Sequence, residues 1–187
     1  MYRKSQMIAR MSLMLALLII TARLVIPLPL FDYLSLQIIT VYLIYPTLGM
    51  KNGLIVTCSY LILGIIGLPI FASGGGYAYI FKPTFGFLLA FVTLPIIQSF
   101  ISNKFNNGIY SSFKKNAIIN ICCLLYIYLI GIIYKILILS FYTNNVTSLS
   151  ILISITTLID FSFDLLLVLI TSLIMLKLNQ LNKSSSY

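Results

Sequence analysis

An all-α membrane protein, a bundle of about six transmembrane helices with both termini cytoplasmic, is the fold this sequence predicts. Three observations predict it: an apolar excess, the spacing of the apolar runs, and the side on which the basic residues fall. Of the 187 residues, 60% are hydrophobic and only 8% are charged, with a mean hydropathy of +1.08. A soluble domain carries roughly a quarter charged residues, so this chain lacks the polar groups to cover itself in water. In lipid, a helix satisfies its own backbone and crosses with about 20 mostly apolar residues.

The apolar runs place helices over about 7–26, 36–50, 52–71, 80–101, 116–142 and 150–176. Between them lie the polar or turn-forming segments PLPLFDY, GMKNG, ASGGGYAY, NKFNNGIYSSFKKN and TNNVTS. The second run is short for a span, which implies tilt, local thinning of the bilayer or a re-entrant shape. A polar tail follows from about Asn179. No internal repeat or inverted half is visible, so residues 1–187 read as a single transmembrane domain.

Charge orients the bundle. Arg3, Lys4 and Arg10 precede the first run, Lys51 lies in the second linker, Lys104, Lys114 and Lys115 in the fourth, and Lys177 and Lys183 in the tail. The opposite linkers hold Asp32, with Lys82 at the edge of one. The positive-inside rule then puts both termini in the cytoplasm, as an even number of spans requires. The first run mimics a signal peptide, but it continues to Pro27 and more spans follow, so it reads as a retained helix of a multi-pass cell-membrane protein.

The composition also excludes chemistry. The net charge of +9 is scattered at helix ends and forms no nucleic-acid footprint. Cys58, Cys122 and Cys123 lie in apolar runs, without a CxxC or any histidine, so neither a disulfide framework nor a metal site is expected. There is no GxxxxGK[ST] loop for ATP hydrolysis and no histidine to activate a serine or cysteine. No cofactor is implied. A binder or carrier of a solute fits this inventory better than an enzyme.

Four charges fall inside apolar spans: Arg23, Lys135, Asp160 and Asp164. At a helix centre such a charge costs roughly 2.5–3.5 kcal/mol or more, so each needs a partner or water. By helical rise, Lys135 lies about 10 Å below the outer end of its helix and Asp160 about 15 Å below the outer start of the next. Those two helices form a hairpin, so a Lys135–Asp160 pair is expected, which leaves Asp164, one turn deeper, available to a ligand. Arg23 is near enough to its helix end to snorkel.

The stretch Gly67 to Phe91, GLPIFASGGGYAYIFKPTFGFLLAF, resembles the BioY family, the biotin-binding S components of energy-coupling factor (ECF) transporters. That family shows Gly-Leu-Pro before a glycine-rich loop, then Pro-Thr-x-Gly-Tyr/Phe at the next helix start. Upstream, IPLPLFDYLSLQ (Ile26 to Gln37) is similar to the family's IPLP…(T/S)LQ. The resemblance implies an S component that binds biotin from outside, docks on a transmembrane coupling subunit, is driven by two ATPase subunits, and topples to deliver its cargo inward.

It also implies a site. Ser73, Gly74, Gly75 and Gly76 form a loop whose bare backbone can approach a ligand, with Tyr77 and Tyr79 able to close over a flat bicyclic ring or to serve as interfacial aromatics. Gln37, at the start of the second helix, is a candidate hydrogen-bond partner of the ligand or a helix cap. Ala9, Ser12 and Ala16 form a strip of small residues on the first helix; the family docks its coupling subunit on such a strip, and internal packing is the other reading. Asp164 matches the acid of the family's last helix, whereas the Pro, Gly and Lys of that motif are here Ser162, Phe163 and Leu167. A ligand carboxylate would then need another cation, such as Lys82 or Arg23. An S component for another small vitamin or biotin precursor, a stand-alone secondary transporter, and a ligand-free structural subunit are the rival readings.

Overall fold

The computed structural model describes residues 4–28, 31–104, 112–142 and 155–184. In chain order the elements are α1 (Lys4–Arg23), β1 (Val25–Leu28), β2 (Phe31–Ser35), α2 (Gln37–Ile66), a 3₁₀ turn (Tyr77–Phe81), α3 (Phe85–Lys104), α4 (Phe113–Tyr142) and α5 (Ile155–Ser184). Among the described residues, all five helices are long and apolar enough to cross a membrane. The helical bundle expected from the sequence is present, with one addition: the first linker carries a two-stranded antiparallel pair, with Val25 opposite Ser35. Pairing lets an extended linker satisfy its backbone locally. The start expected for the last helix, near 150, lies outside the described residues.

The second and third expected helices are the two limbs of α2. Gly49 sits at φ 76 and ψ 176, a conformation that breaks the helix and that glycine adopts at little cost. The limbs fold back on each other there. A methyl group on Gly53 would stand 3.0 Å from the Ile44 side chain, and the Gln37 side chain lies beside the Tyr60 hydroxyl. In a straight helix the latter two would be about 35 Å apart. The first limb is about 18 Å long by helical rise, the short element the apolar run had implied.

The helix expected from residue 80 begins instead at Phe85. Pro83 has no N–H to donate and holds the preceding residue extended; Lys82 is at φ −78, ψ 137 and separates the 3₁₀ turn from α3. The third expected helix ends at Ile66 rather than 71. The N–H groups of Gly67 and Leu68 there return to the carbonyls of Gly64 and Leu63, which closes the last turn.

α2 packs on α1 and α3, α3 on α4, α4 on α5, and α5 returns to α2, closing a bundle. α3 and α4 approach closely because Gly86 lies against Tyr134 and Gly131 against Phe87, where a Cβ would collide. Apolar side chains also cover the outside. Ile8, Leu13, Ile62, Leu125 and Leu166 are all exposed, as expected where the solvent is lipid.

The end of the bundle away from the glycine loop is tied by neutral polar groups. Gln98 of α3 donates through Nε2 to the Tyr42 carbonyl and to Asn120 Oδ1, each at 3.3 Å. Asn120 of α4 donates through Nδ2 to Ser172 Oγ of α5 at 2.9 Å, and Tyr42 OH donates to the Asn120 carbonyl at 3.2 Å. All four residues are buried. One network therefore fixes four helices in register.

Candidate functional site

The glycine loop is a tight and closely held turn. Phe71 and Gly74 exchange backbone hydrogen bonds of 2.9 and 3.1 Å, and the Gly76 N–H donates to the Gly64 carbonyl at 2.7 Å. Gly75 passes so near the Leu68 carbonyl that a side chain there would collide with backbone. Phe71 anchors the turn. It is fully buried between Tyr60 and Tyr79, with ring centroids 5.3 and 4.7 Å away, and lies on Gly64 where a Cβ would meet its ring.

This turn presents Ser73. The Lys82 ammonium donates to Ser73 Oγ at 2.8 Å, and Ser73 Oγ donates to Tyr79 OH at 3.2 Å. The same ammonium stands 4.6 Å from the centroid of the Tyr79 ring, within the range of a cation–π contact. Arg23 reaches the loop from α1, with Nη1 donating to the Phe71 carbonyl at 3.5 Å. Tyr134 of α4 donates to the Ile80 carbonyl and packs on Phe85, which ties the 3₁₀ turn to the bundle.

Gln37 lies beneath this loop. Tyr60 OH donates to the Ile70 carbonyl at 3.2 Å and is the polar neighbour of the Gln37 amide without closing a hydrogen bond to it. Gln37 is 3% exposed, and its Nε2 has no hydrogen-bond partner among the described residues. A buried donor left open costs about 1–3 kcal/mol. Such a group marks a place where a ligand acceptor can be received.

Asp164 lies where α5 packs on α4. Tyr128 OH donates to Asp164 Oδ2 at 2.8 Å. The Tyr128 ring is held edge-on by Phe87 and Phe161, with centroids 5.4 and 5.0 Å away. Tyr42, about one and a half turns below Gln37 on the same limb, is close enough to feel the Asp164 charge. One Tyr donor leaves a carboxylate with spare acceptor sites.

Of the eight sequence-predicted ligand residues, Ser73, Gly74, Gly75, Gly76 and Lys82 lie in the loop and Gln37 beneath it, while Asp164 lies on α5 against Tyr128. Tyr77 does not join them; its side chain is 76% exposed, while Tyr79 is buried in the cluster. Ala9, Ser12 and Ala16 lie apart on α1. All three are exposed, and Ser12 borders a shallow groove with Met11, Leu15, Ile55 and Ser59. Sequence reasoning missed Tyr128. The same depth count by helical rise puts Asp164 within a turn of Tyr128, so the signal was present.

The chain matches the BioY family model over residues 2–184. A probable biotin transporter BioY of Lysinibacillus sphaericus is 35% identical over 136 residues, which is 72% of this chain and 67% of that protein. The biotin transporter BioY of Thermotoga maritima is 29% identical over 167 residues, 89% of this chain and 91% of that one. Among solved structures, the S-component for biotin from an ECF-type ABC transporter superposes with a TM-score of 0.69 at 24% identity, covering 96% of this chain and 95% of the other. That likeness is one of fold.

Proposed function

The chain belongs to the BioY family, and from that membership we propose that it is the biotin-binding S component of an ECF-type importer. It is a multi-pass integral membrane protein and a transport protein rather than an enzyme. The observation that carries the reading is the family match, which runs over nearly the whole chain. The site chemistry agrees with it. Biotin's ureido group offers N–H donors and one carbonyl. Asp164 supplies a charged acceptor for the former, and the unpaired Nε2 of Gln37 supplies a donor for the latter.

The glycine-loop end faces the outside and receives the vitamin. The opposite end, with Lys51, Lys104, Lys114 and Lys177, faces the cytoplasm with both termini. As an ECF-type S component it works with a transmembrane coupling subunit and two ATPase subunits, and the lack of an ATP-hydrolysing loop in this sequence accords with that. Ala9, Ser12 and Ala16 form the docking strip for the coupling subunit. Their exposure on α1 supports that role, since small exposed residues let a second helix approach in lipid.

Reconstituted uptake tests the reading. Vesicles holding the chain, the coupling subunit and the ATPases accumulate labelled biotin with ATP, and Ser12→Leu or Ala16→Leu abolishes accumulation while detergent-solubilised protein still binds biotin. Accumulation by the chain alone contradicts the proposal and favours a stand-alone carrier. Loss of binding in the α1 variants with normal assembly makes the strip an internal packing surface.

A further inference from the structure

The contacts of Lys82 point to the part of the ligand it meets. Resting on the reading of the chain as a biotin-binding subunit, we propose that Lys82, Ser73 and Tyr79 form a carboxylate receptor, and that the protein therefore selects biotin as the free acid. Donors outnumber acceptors in this cluster. An ammonium carries three N–H donors, and a serine and a tyrosine hydroxyl one each. Within the cluster the ammonium gives one donor to Ser73 Oγ, and Ser73 gives its proton to Tyr79 OH. Two ammonium protons and the Tyr79 hydroxyl proton remain, with no described side chain or carbonyl to accept them, and Lys82 is exposed and open to an arriving anion. A positively charged cluster with surplus donors is complemented by an acceptor-only anion, and a carboxylate is one.

The geometry separates this lysine from an ordinary interfacial one. A lysine at a membrane face usually extends its head into water along an apolar stem. Here the head is folded back over the buried Tyr79 ring and onto Ser73. Ser73 in turn is fixed by the reciprocal Phe71–Gly74 bonds and by Gly75 against Leu68. Alternative cations are less suited. Arg23 directs Nη1 to the Phe71 carbonyl, and Leu167, one turn along from Asp164, is buried and uncharged. Gln37, the open donor beneath the loop, then orients the uncharged ring of the ligand while the loop holds its tail.

Titration calorimetry on the detergent-purified full chain decides the matter, with biotin and biotin methyl ester as probes. Wild type binds the acid at least about tenfold more tightly than the ester, the scale of one hydrogen bond to a charged group. Lys82→Gln lowers acid affinity to the ester's level and leaves ester affinity unchanged, which also shows that the variant is folded. Ser73→Ala moves acid affinity in the same direction by less. Unchanged acid affinity in Lys82→Gln, the result expected of a lysine held by lipid phosphates, overturns the receptor and leaves the biotin reading standing. Wild type that binds neither probe overturns the biotin reading itself and the receptor with it.

Discussion

At the far end of the bundle the neutral side chains of Gln98, Asn120 and Ser172 are linked to one another by hydrogen bonds, whereas at the glycine-loop end the ionisable side chains of Asp164 and Lys82, with Gln37, keep donors or acceptors in hand. The two sets lie about 12 Å apart along α5, from Asp164 to Ser172. The far set is neutral and links α2, α3, α4 and α5. It is not saturated, since Gln98 Oε1 and both amide atoms of Asn116 lack hydrogen-bond partners among the described residues. The loop set is charged and surrounded by aromatic rings. In lipid, polar groups between helices act as glue when they meet each other. A charge inside the membrane without a full complement of partners marks a functional position. The same residue chemistry therefore fixes helix register at one end and prepares a ligand site at the other.

The comparison breaks most visibly at Asn120. Asn120→Leu removes the acceptor of Gln98, the donor to Ser172 and a contact to the Met175 sulfur, 3.5 Å away. Gln98 Nε2 keeps the Tyr42 carbonyl and Ser172 Oγ keeps the Val168 carbonyl, so two buried hydrogen bonds of about 0.5–1.5 kcal/mol each are lost and the variant loses roughly 1–3 kcal/mol of stability in a detergent melt. Its folded fraction keeps the wild-type preference for biotin over the methyl ester. A changed preference at unchanged melting temperature would place this network in the site.

A smaller and opposite pattern is expected at Asp164. Asp164→Asn keeps the shape and a carbonyl for the Tyr128 hydroxyl, yet removes the charge. Hydrogen bonds to charged groups contribute about 1.5–3 kcal/mol, so biotin affinity falls roughly tenfold to a hundredfold with little change in ligand-free melting temperature. Lower stability with unchanged affinity would make Asp164 a structural partner of Tyr128 only. Both quantities come from one preparation.

The same contrast explains what was legible in the sequence. The helices are visible because lipid demands long apolar runs, and the glycine loop because its residues cannot be replaced where backbone meets backbone at Gly75 and Leu68. Helix limits slipped where single residues decide them: Pro83 delays α3 to Phe85, and Gly49 alone turns α2, where a longer linker was expected. The partners of the site were harder to read. Asp164 stands out as a charge in an apolar run, but Tyr128 is one of several tyrosines on α4 and is singled out only by the packing of α4 on α5. Tyr77 and Tyr79 are alike in sequence, and only the 3₁₀ turn places one at the surface and the other in the core. The far network left a faint trace, polar residues at Gln98 and Ser102 on α3 and at Asn116 and Asn120 on α4, each pair one turn apart.

Hydrogen exchange of the purified chain with and without biotin tests most directly the central claim, that the glycine-loop end is the ligand end. Amide exchange across Phe71–Lys82 is expected to slow when biotin is bound, with the amides of Gln98–Ser102 and Asn116–Asn120 unchanged. Protection confined to the far end, or saturating biotin with no protection in the glycine loop, would contradict it.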